Sequence, residues 1–303
     1  MTRVLVTGAA GFAGRYMCDY LARLENRPEI IGTDVVDCTN KICDRFVQID
    51  LSSANDLTNL VAQTTPDYVI HFAGLFGSDD PQQIYKANIL STTSLLEAIR
   101  LHKSDAVIVM AGSAAEYGKI KAEQLPVTET MPCQPVTVYG LSKLLATQVS
   151  LYYHRVHGLN VMIVRPFQLI GKGVTSRLAP GAFAEQLKRA ILDKSNIIKV
   201  GNLETSRDFL DVHDAVKAIW MLCQKSSAGQ IFNLCSGKPV KINDLLNMMI
   251  GNCGQHLKIE IDPSRLRGTS DVSTVYGSFE KIKQHCGWCP KRCLADSISD
   301  MFK

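Results

Sequence analysis

The stretch VLVTGAAGFAGRYM, residues 4–17, constrains the fold of this chain more than any other. It places Gly8, Gly11 and Gly14 between an apolar run typical of a strand and a run typical of a helix. In a strand–turn–helix unit the first glycine permits a tight turn, the second lets the main chain approach a pyrophosphate, and the third lets helix and strand pack closely. The amide groups that begin the helix would face the anion. The stretch therefore predicts a dinucleotide-binding βαβ unit.

Short apolar runs alternate with longer helical stretches through the first half of the chain. The runs are rich in Val and Ile and apolar on both faces, which is typical of a parallel sheet covered by helices. The predicted strands are Arg3–Thr7, Glu29–Asp34, Arg45–Asp50, Tyr68–Ala73, Ala106–Ala111 and Asn160–Pro166. The predicted helices between them are Phe12–Leu24, Ala54–Thr64, Gln82–Leu101 and Tyr139–His157. This order predicts an α/β fold, a Rossmann-type doubly wound parallel sheet.

After Pro166 the regular alternation ends. Loops with Gly and Pro separate helices predicted near Gly181–Asp193, Val212–Gln224, Ile242–Gly251 and Phe279–Cys286. We expect a dinucleotide-binding domain over residues 1–166, to which part of 209–235 returns. Residues 167–303 are expected to form mainly a smaller substrate-binding lobe over the carboxyl ends of the strands, where ligands bind in open α/β sheets.

Composition narrows the classes of partner. The 303 residues carry a net charge of +4 that is not clustered, so we expect neither a nucleic-acid nor a membrane partner. No apolar window approaches the roughly 18 residues of a membrane span. The chain begins directly with a strand and has no signal-peptide pattern, which predicts a cytoplasmic protein. Ten scattered cysteines are typical of reduced thiols.

The motif HCGWCPKRC, residues 285–293, brings Cys286, Cys289 and Cys293 close to His285 in sequence. A structural zinc site usually takes four ligands from two paired knuckles. The partner knuckle is missing, so we expect no metal.

Other strand ends fit the same dinucleotide site. Asp34 ends the second strand, where a carboxylate can bind the adenosine ribose 2′-hydroxyl and repel a 2′-phosphate, which favours NAD(H). Arg15 offers an opposing cation, so NADP(H) remains possible. His71 is interpreted as a core histidine with a satisfied ring. The further predicted cofactor contacts are Phe12, Ala13, Asp50, Leu51, Phe72, Ala73, Tyr139, Lys143, Arg165 and Pro166.

VYGLSK, residues 138–143, places Tyr139 and Lys143 four apart on one helix face. A free phenol has a pKa of about 10. A neighbouring ammonium favours the phenolate, so we expect Lys143 to lower the pKa of Tyr139. Ser113, after the strand Ala106–Ala111, would supply a hydroxyl across the cleft. Together the three residues predict a proton-transfer site for a carbonyl.

The ordered motifs TGAAGFAG, HFAG, YGLSK, RPFQLIGKG, RDFLDVHD and NLCSGKPVKINDLL resemble the extended short-chain dehydrogenase/reductase family along nearly the whole chain. The resemblance implies that Tyr139 is the general acid/base, that Lys143 lowers its pKa and holds the nicotinamide ribose, and that Ser113 binds the reacting oxygen. It also implies a homodimer through the helices near Asn88–Leu101 and Tyr139–His157.

Within that family the RPF and RDFLDV motifs are similar to the nucleotide-sugar branch, and most of all to the GDP-mannose dehydratase and GDP-4-keto-6-deoxymannose reductase group. The resemblance implies that Arg207 grips a diphosphate, a task that suits a planar guanidinium. Arg267 is a candidate second clamp. Gln168 and Arg177 complete the predicted substrate contacts, with Ser113 at the reacting oxygen.

Ala115 separates two reactions of this branch. The dehydratases carry a carboxylate in STSELYG-like stretches, and alignment on Tyr117-Gly118 places Ala115 at that carboxylate. Ala115 has no proton-accepting atom, and Glu116, one position away, should point to solvent or to a structural partner. The sequence therefore predicts a reductase of a nucleotide-linked 4-keto-6-deoxyhexose, most of all GDP-4-keto-6-deoxymannose. A C4 epimerase with retained NAD needs the same residues and stays open, as does a non-catalytic dinucleotide-binding regulator.

Overall fold

The structure, a computed structural model, describes residues 1–37, 42–103, 105–193, 196–254, 257–265 and 273–303. Its strands are β1 Arg3–Thr7, β2 Glu29–Asp34, β3 Arg45–Gln48, β4 Tyr68–His71, β5 Val107–Ala111, β6 Asn160–Pro166, β7 Gln168–Ile170, β8 Ile197–Val200, β9 Ser206–Asp211, β10 Ile231–Leu234, β11 Pro239–Lys241, β12 Lys258–Ile261 and β13 Thr274–Val275. Its helices are α1 Phe12–Ala22, α2 Ala54–Thr64, α3 Pro81–Tyr85, α4 Ser91–His102, α5 Val138–His157, α6 Ala179–Asp193, α7 Val212–Lys225, α8 Ile242–Cys253, α9 Glu280–Cys286 and α10 Leu294–Phe302. A π-helical turn, Lys86–Leu90, joins α3 to α4.

The main sheet confirms the predicted doubly wound architecture. Seven strands lie in the order β3-β2-β1-β4-β5-β6-β10, and every neighbouring pair is parallel. The strand order reverses at β1, which pairs with β2 on one side and with β4 on the other. In open α/β sheets the crevice outside the carboxyl ends at such a point is where ligands bind.

The core lies on both faces of this sheet. Along β1, Val4 and Val6 face the layer that holds Met17 and Trp220, whereas Leu5 faces the layer that holds Leu95. Each of the three β1 side chains is fully buried. The alternation explains why the middle of each central strand is apolar on both faces, and why the sequence pattern of these strands is so clear.

A smaller sheet follows in the second half. Strand β9 lies between β11 and β13 and also pairs with β7, while β8 and β12 form a separate parallel pair. Helices α6, α8 and α10 cover these strands with a third apolar core that includes Phe183, Leu187, Leu246 and Met301. The predicted domain boundary at residue 166 remains a proposal, and β10 lies in the main sheet.

The predicted elements match the structure to within a few residues at each end. Strands β1, β2 and β6 and helix α2 have the predicted bounds. The prediction missed the short strands β7 to β13 and helix α10. No helix among the described residues is long and apolar enough to cross a membrane.

His71, at the end of β4, is a core histidine, as interpreted from the sequence. It is 2% exposed, its Nδ1 lies 2.7 Å from Thr7 Oγ1, and its Nε2 lies 3.3 Å from Thr92 Oγ1. The Thr92 hydroxyl donates to the Asn88 carbonyl at 2.7 Å, so its oxygen is free to accept from Nε2–H. Burial, with a smaller contribution from the charge of Lys143, lowers the pKa of His71 to about 3.

The low pKa of His71 predicts instability in acid. Between about pH 6.5 and pH 3 the unfolded chain binds a proton that the folded protein does not, so falling pH favours unfolding. We expect the wild type to lose about 1.4 kcal/mol of unfolding free energy per pH unit below 6.5 relative to His71→Gln. Urea unfolding of both proteins at pH 7, 6 and 5 measures this difference. If the unfolding free energy changed with pH by the same amount in both proteins, the prediction would be wrong.

Candidate functional site

A cleft of about 540 Å³ opens at the carboxyl ends of β1, β2 and β4. It brings together half of the fourteen predicted cofactor contacts, which are Gly8, Gly11, Asp34, Asp50, Leu51, Phe72 and Ala73. Phe12, Ala13 and Gly14 follow directly in the first turn of α1. The cleft fits an elongated dinucleotide because small residues and main-chain amides line the turn where its phosphates would pass.

The glycines of the turn are required by close main-chain contacts. Gly8 has φ +69°, and a Cβ there would lie 2.7 Å from the amide nitrogen of Ala73. A Cβ on Gly14 would lie 2.0 Å from the Gly8 carbonyl oxygen. The turn therefore packs against both α1 and the end of β4, which leaves its outer side open to the cleft.

Asp34 lies on the cleft wall with its carboxylate already oriented. Its Oδ2 accepts from the Ala10 amide at 3.0 Å and its Oδ1 from the Val35 amide at 2.7 Å. The Arg15 guanidinium lies beside Gly173, where its Nη2 is 3.4 Å from the position of a Cβ. The acidic side chain thus lines the dinucleotide cleft, and the cation expected to oppose it points toward a different loop.

The three residues predicted to carry the chemistry come from two elements. Ser113 precedes the 3₁₀ turn Ala114–Glu116 that follows β5, while Tyr139 and Lys143 lie in the first two turns of α5. The turn packs closely on the start of α5, since a Cβ on Gly140 would lie 2.5 Å from the Ala115 carbonyl oxygen, and the Ser113 hydroxyl acts on the pKa of Tyr139. The Tyr139 ring packs edge-on against Phe76 at a centroid distance of 4.9 Å.

The ionisation of Tyr139 differs from the expectation. Burial raises the pKa of Tyr139 to about 12, which outweighs the lowering by the hydrogen bond with Ser113, and Glu116 raises the pKa further. The expectation that Lys143 would lower this pKa below its ordinary value is wrong for this geometry, because Lys143 directs its Nζ to the Ala111 carbonyl at 2.6 Å. At neutral pH the phenol is therefore protonated.

Lys143 is itself buried, at 6% exposure. Burial lowers the pKa of Lys143 to about 8, against a raising effect from Glu116. Its Nζ lies 3.5 Å from the position that a Cβ on Gly74 would take, so it reaches the edge of the dinucleotide cleft. An ammonium at this edge can bind ribose hydroxyls, which is the role the resemblance implies.

Arg165 is not available as a side-chain contact for a cofactor. It is 2% exposed, its Nε donates to Glu116 Oε2 at 2.8 Å, and its guanidinium lies over the Tyr117 ring. Pro166 ends the same strand. A contact of Arg165 with a dinucleotide would have to come from its main chain, and Glu116 has the structural partner that the sequence suggested.

A second cavity, of about 420 Å³, lies beside the smaller sheet. Three predicted substrate contacts, Gln168, Arg177 and Arg207, line it together with Arg265. Arg177 Nη1 also donates to the Gly77 carbonyl, which ties this cavity to the loop after β4. Arg267 lies outside the described residues, so its predicted role is not addressed by the structure.

Sequence reasoning missed Asn88, Arg265 and the positioning of Glu116. Asn88 is 1% exposed; its Oδ1 accepts from the Leu75 amide at 2.7 Å, and its Nδ2 donates to Ser142 at 2.8 Å. It thereby links the loop beside the cleft to α5. The signal available in the sequence for Asn88 was an asparagine inside a predicted helix. No pattern distinguished Arg265 from Arg267.

The cysteine-rich segment shows structural contacts only. Cys286 Sγ donates to the Ile282 carbonyl at 3.3 Å, and Cys293 Sγ accepts from the Asp296 amide at 3.4 Å. Within the described ranges, no group of three or more His, Cys, Asp or Glu side chains could hold a metal ion.

The fold, the glycine turn and the Ser–Tyr–Lys arrangement define the class of an NAD(P)-dependent short-chain dehydrogenase/reductase. A family model matches residues 4–235, and the chain belongs to the NAD dependent epimerase/dehydratase family.

Individual relatives span almost the full length. GDP-6-deoxy-D-mannose reductase of Pseudomonas aeruginosa is 29% identical over 98% of this chain and 94% of its own. A putative UDP-glucose 4-epimerase of Methanocaldococcus jannaschii is 27% identical over 97% and 95%. The solved structure of RMD from Pseudomonas aeruginosa complexed with NADPH superposes with a TM-score of 0.87 at 28% identity, covering 99% of this chain and 97% of that one.

The packing of the glycine turn predicts a specific effect of Gly8→Ala. Gly158 is a matched control, because it has φ +70° and nothing within 4 Å of an added Cβ. Gly158→Ala should cost about 1 kcal/mol, the cost of a left-handed conformation. Gly8→Ala should lower the melting temperature further and weaken dinucleotide binding at least about tenfold, because its methyl group displaces the turn from Ala73. Equal melting temperatures and equal affinities in fluorescence titrations would contradict this account.

Proposed function

We propose that this protein is an NAD(P)H-dependent reductase of the C4 keto group of a nucleotide-linked 4-keto-6-deoxyhexose, with GDP-4-keto-6-deoxymannose as the first candidate substrate. The observation that carries the proposal is that the turn holding Ser113 and Ala115 packs against the start of α5 beside Tyr139, where a Cβ on Gly140 would lie 2.5 Å from the Ala115 carbonyl oxygen. This site can exchange a proton at a carbonyl, and it has no carboxylate at the position that dehydration requires. The relative named GDP-6-deoxy-D-mannose reductase supports the same substrate.

A protonated Tyr139 can supply the proton that a reduction needs. When bound, the reduced nicotinamide supplies the hydride. The carbonyl oxygen that gains negative charge would accept hydrogen bonds from Ser113 and Tyr139. Burial raises the pKa of Tyr139 to about 12, so the phenol holds its proton at neutral pH and gives it up only as negative charge develops on this oxygen. Oxidation of an alcohol would instead start from the phenolate.

The second cavity supports a nucleoside diphosphate as the handle of the substrate. Arg207 and Arg265 line it from different elements, and planar guanidinium groups bind diphosphate oxygens in pairs. Gln168 Oε1 is buried and has no hydrogen-bond partner, so it offers an acceptor to a hydroxyl or amine of the ligand. Analysis of the reaction product would identify the nucleotide base of the substrate and the stereochemistry at C4.

For the cofactor we propose a preference for NADH. The Asp34 carboxylate on the cleft wall supports it, because this charge repels a 2′-phosphate. The structure of the RMD relative in complex with NADPH supports the opposite choice, so both dinucleotides belong in the assay.

The test is to mix the purified protein with NADH or NADPH and GDP-4-keto-6-deoxymannose and to follow absorbance of the reduced nicotinamide. We expect oxidation of the dinucleotide by the wild type. Tyr139→Phe should lower kcat about 10²-fold or more, because the proton donor is lost.

The other outcomes identify the alternatives. No oxidation, together with NAD retained through purification, would favour a C4 epimerase, for which the similarity to a putative UDP-glucose 4-epimerase is the present support. Dinucleotide binding without turnover on a panel of nucleotide sugars would favour a regulator.

We also propose that the protein is a homodimer and that it works in the cytoplasm. An apolar row on the outer face of α5 supports the dimer, with Leu145 40%, Tyr152 47% and Val156 57% exposed. Leu101, on the neighbouring α4, is 54% exposed. The nine described cysteines form no disulfide, which supports a reducing compartment.

Charges on the α5 row should separate the subunits. We expect Leu145→Glu/Val156→Glu to elute as a monomer in size-exclusion chromatography with light scattering, because carboxylates would be buried unpaired in the interface. Leu192→Glu, at an 80% exposed apolar position on α6, is the control and should remain dimeric. A monomeric wild type would refute the proposed dimer.

A further inference from the structure

We propose that Glu116 is a positioning residue for the reaction. Its buried carboxylate fixes the main chain of Ser113 and thereby the location of the Ser113 hydroxyl. The inference rests on the proposed function, in which this hydroxyl binds the reacting oxygen. It assigns a role to the acid that stands one position away from the dehydratase carboxylate.

Two hydrogen bonds define the conformation of Ser113. Glu116 Oε1 accepts from the Ser113 amide at 2.8 Å, and the Ala115 amide donates to Ser113 Oγ at 3.1 Å. Because the Ala115 amide occupies one acceptor position of Oγ, the hydroxyl hydrogen is available for Tyr139 or for the substrate oxygen. Together the two bonds form a capping box on the 3₁₀ turn.

The second oxygen of the Glu116 carboxylate is bound by a buried arginine. Glu116 is fully buried, and its Oε2 accepts from Arg165 Nε at 2.8 Å. The Arg165 guanidinium carbon lies 4.8 Å from the centre of the Tyr117 ring, and the Tyr117 hydroxyl donates to Asn233 Oδ1 at 2.6 Å. A continuous set of contacts therefore connects Ser113 to β10, the strand at the edge of the main sheet.

The local sequence leaves space for this carboxylate. A Cβ on Gly112 would lie 2.3 Å from Glu116 Oε1, so any side chain there would displace it from the Ser113 amide. A buried ion pair is weak evidence for a purely stabilising role, because apolar residues of similar volume often serve as well. The charge also acts on the site, since Glu116 raises the pKa values of Tyr139 and Lys143.

The test compares two double variants, E116L/R165L and E116Q/R165L. Both remove the buried ion pair, so the loss of charge and the change at Arg165 are the same in the two proteins. They differ in one respect: the glutamine of E116Q/R165L retains an oxygen that accepts from the Ser113 amide, and the leucine that replaces Glu116 in E116L/R165L has none. If Glu116 served only to neutralise Arg165, the two variants would behave alike.

We expect the Ser113 amide of E116L/R165L to exchange with deuterium at least about tenfold faster than that of E116Q/R165L, because it loses its acceptor. We expect kcat of E116L/R165L to be at least about tenfold lower than that of the wild type, with similar KM and dinucleotide affinity, because a displaced donor acts mainly in the transition state. We expect kcat of E116Q/R165L to stay much closer to that of the wild type. Equal exchange and equal kcat in the two folded proteins would overturn the proposal.

Gly112→Ala provides a second route that leaves Glu116 and Arg165 in place. Its methyl group should push Glu116 Oε1 away from the Ser113 amide, so we expect faster deuterium exchange of this amide and a lower kcat. If either double variant fails to fold, unchanged exchange in Gly112→Ala would overturn the proposal. Exchange needs no substrate. If the wild type does not reduce the 4-keto sugar, the proposed function fails, while the exchange comparison still tests whether Glu116 fixes Ser113.

Discussion

The close contact between the turn after β1 and the end of β4 is the constraint on which the rest of this structure depends. Gly8 approaches Ala73, and Gly14 approaches the Gly8 carbonyl, at distances that no Cβ would permit. These contacts bring α1 close to the sheet and leave the carboxyl ends of β1 and β4 open. The dinucleotide cleft exists because the main chain is packed closely on one side and uncovered on the other.

The sequence predicted six of the seven strands of the main sheet, because burial on both faces makes the middle of strands such as β1 and β5 continuously apolar. Strands such as β7 and β13 were missed because they have three and two residues and are not continuously apolar, so neither length nor periodicity marks them. The carboxyl-terminal helix α10 was missed, although its residues Ile298 and Met301 form a buried apolar face.

The candidate site was predictable in its residues but not in its electrostatics. Spacing alone placed Tyr139 and Lys143 on one helix face and Ser113 at a strand end. It could not show that burial outweighs the hydrogen bond with Ser113 in setting the pKa of Tyr139. The direction of a pKa shift depends on solvent access and on where Nζ points, and both are properties of the folded chain. The role of Glu116 was hidden for the same reason, since its partner Arg165 is 49 residues away.

Helix α5 serves both proposals on different faces: it holds Tyr139 and Lys143 of the proposed site, and the apolar row that includes Leu145 and Val156 is exposed for the proposed dimer. A rigid helix cannot shift to adjust one face without disturbing the other. Evolutionary change in substrate choice is therefore expected in the loops around Arg177 and Arg265, which contribute to the second cavity and not to α5. The chemistry would be inherited with the helix, while the sugar and the base it accepts would diverge with the loops.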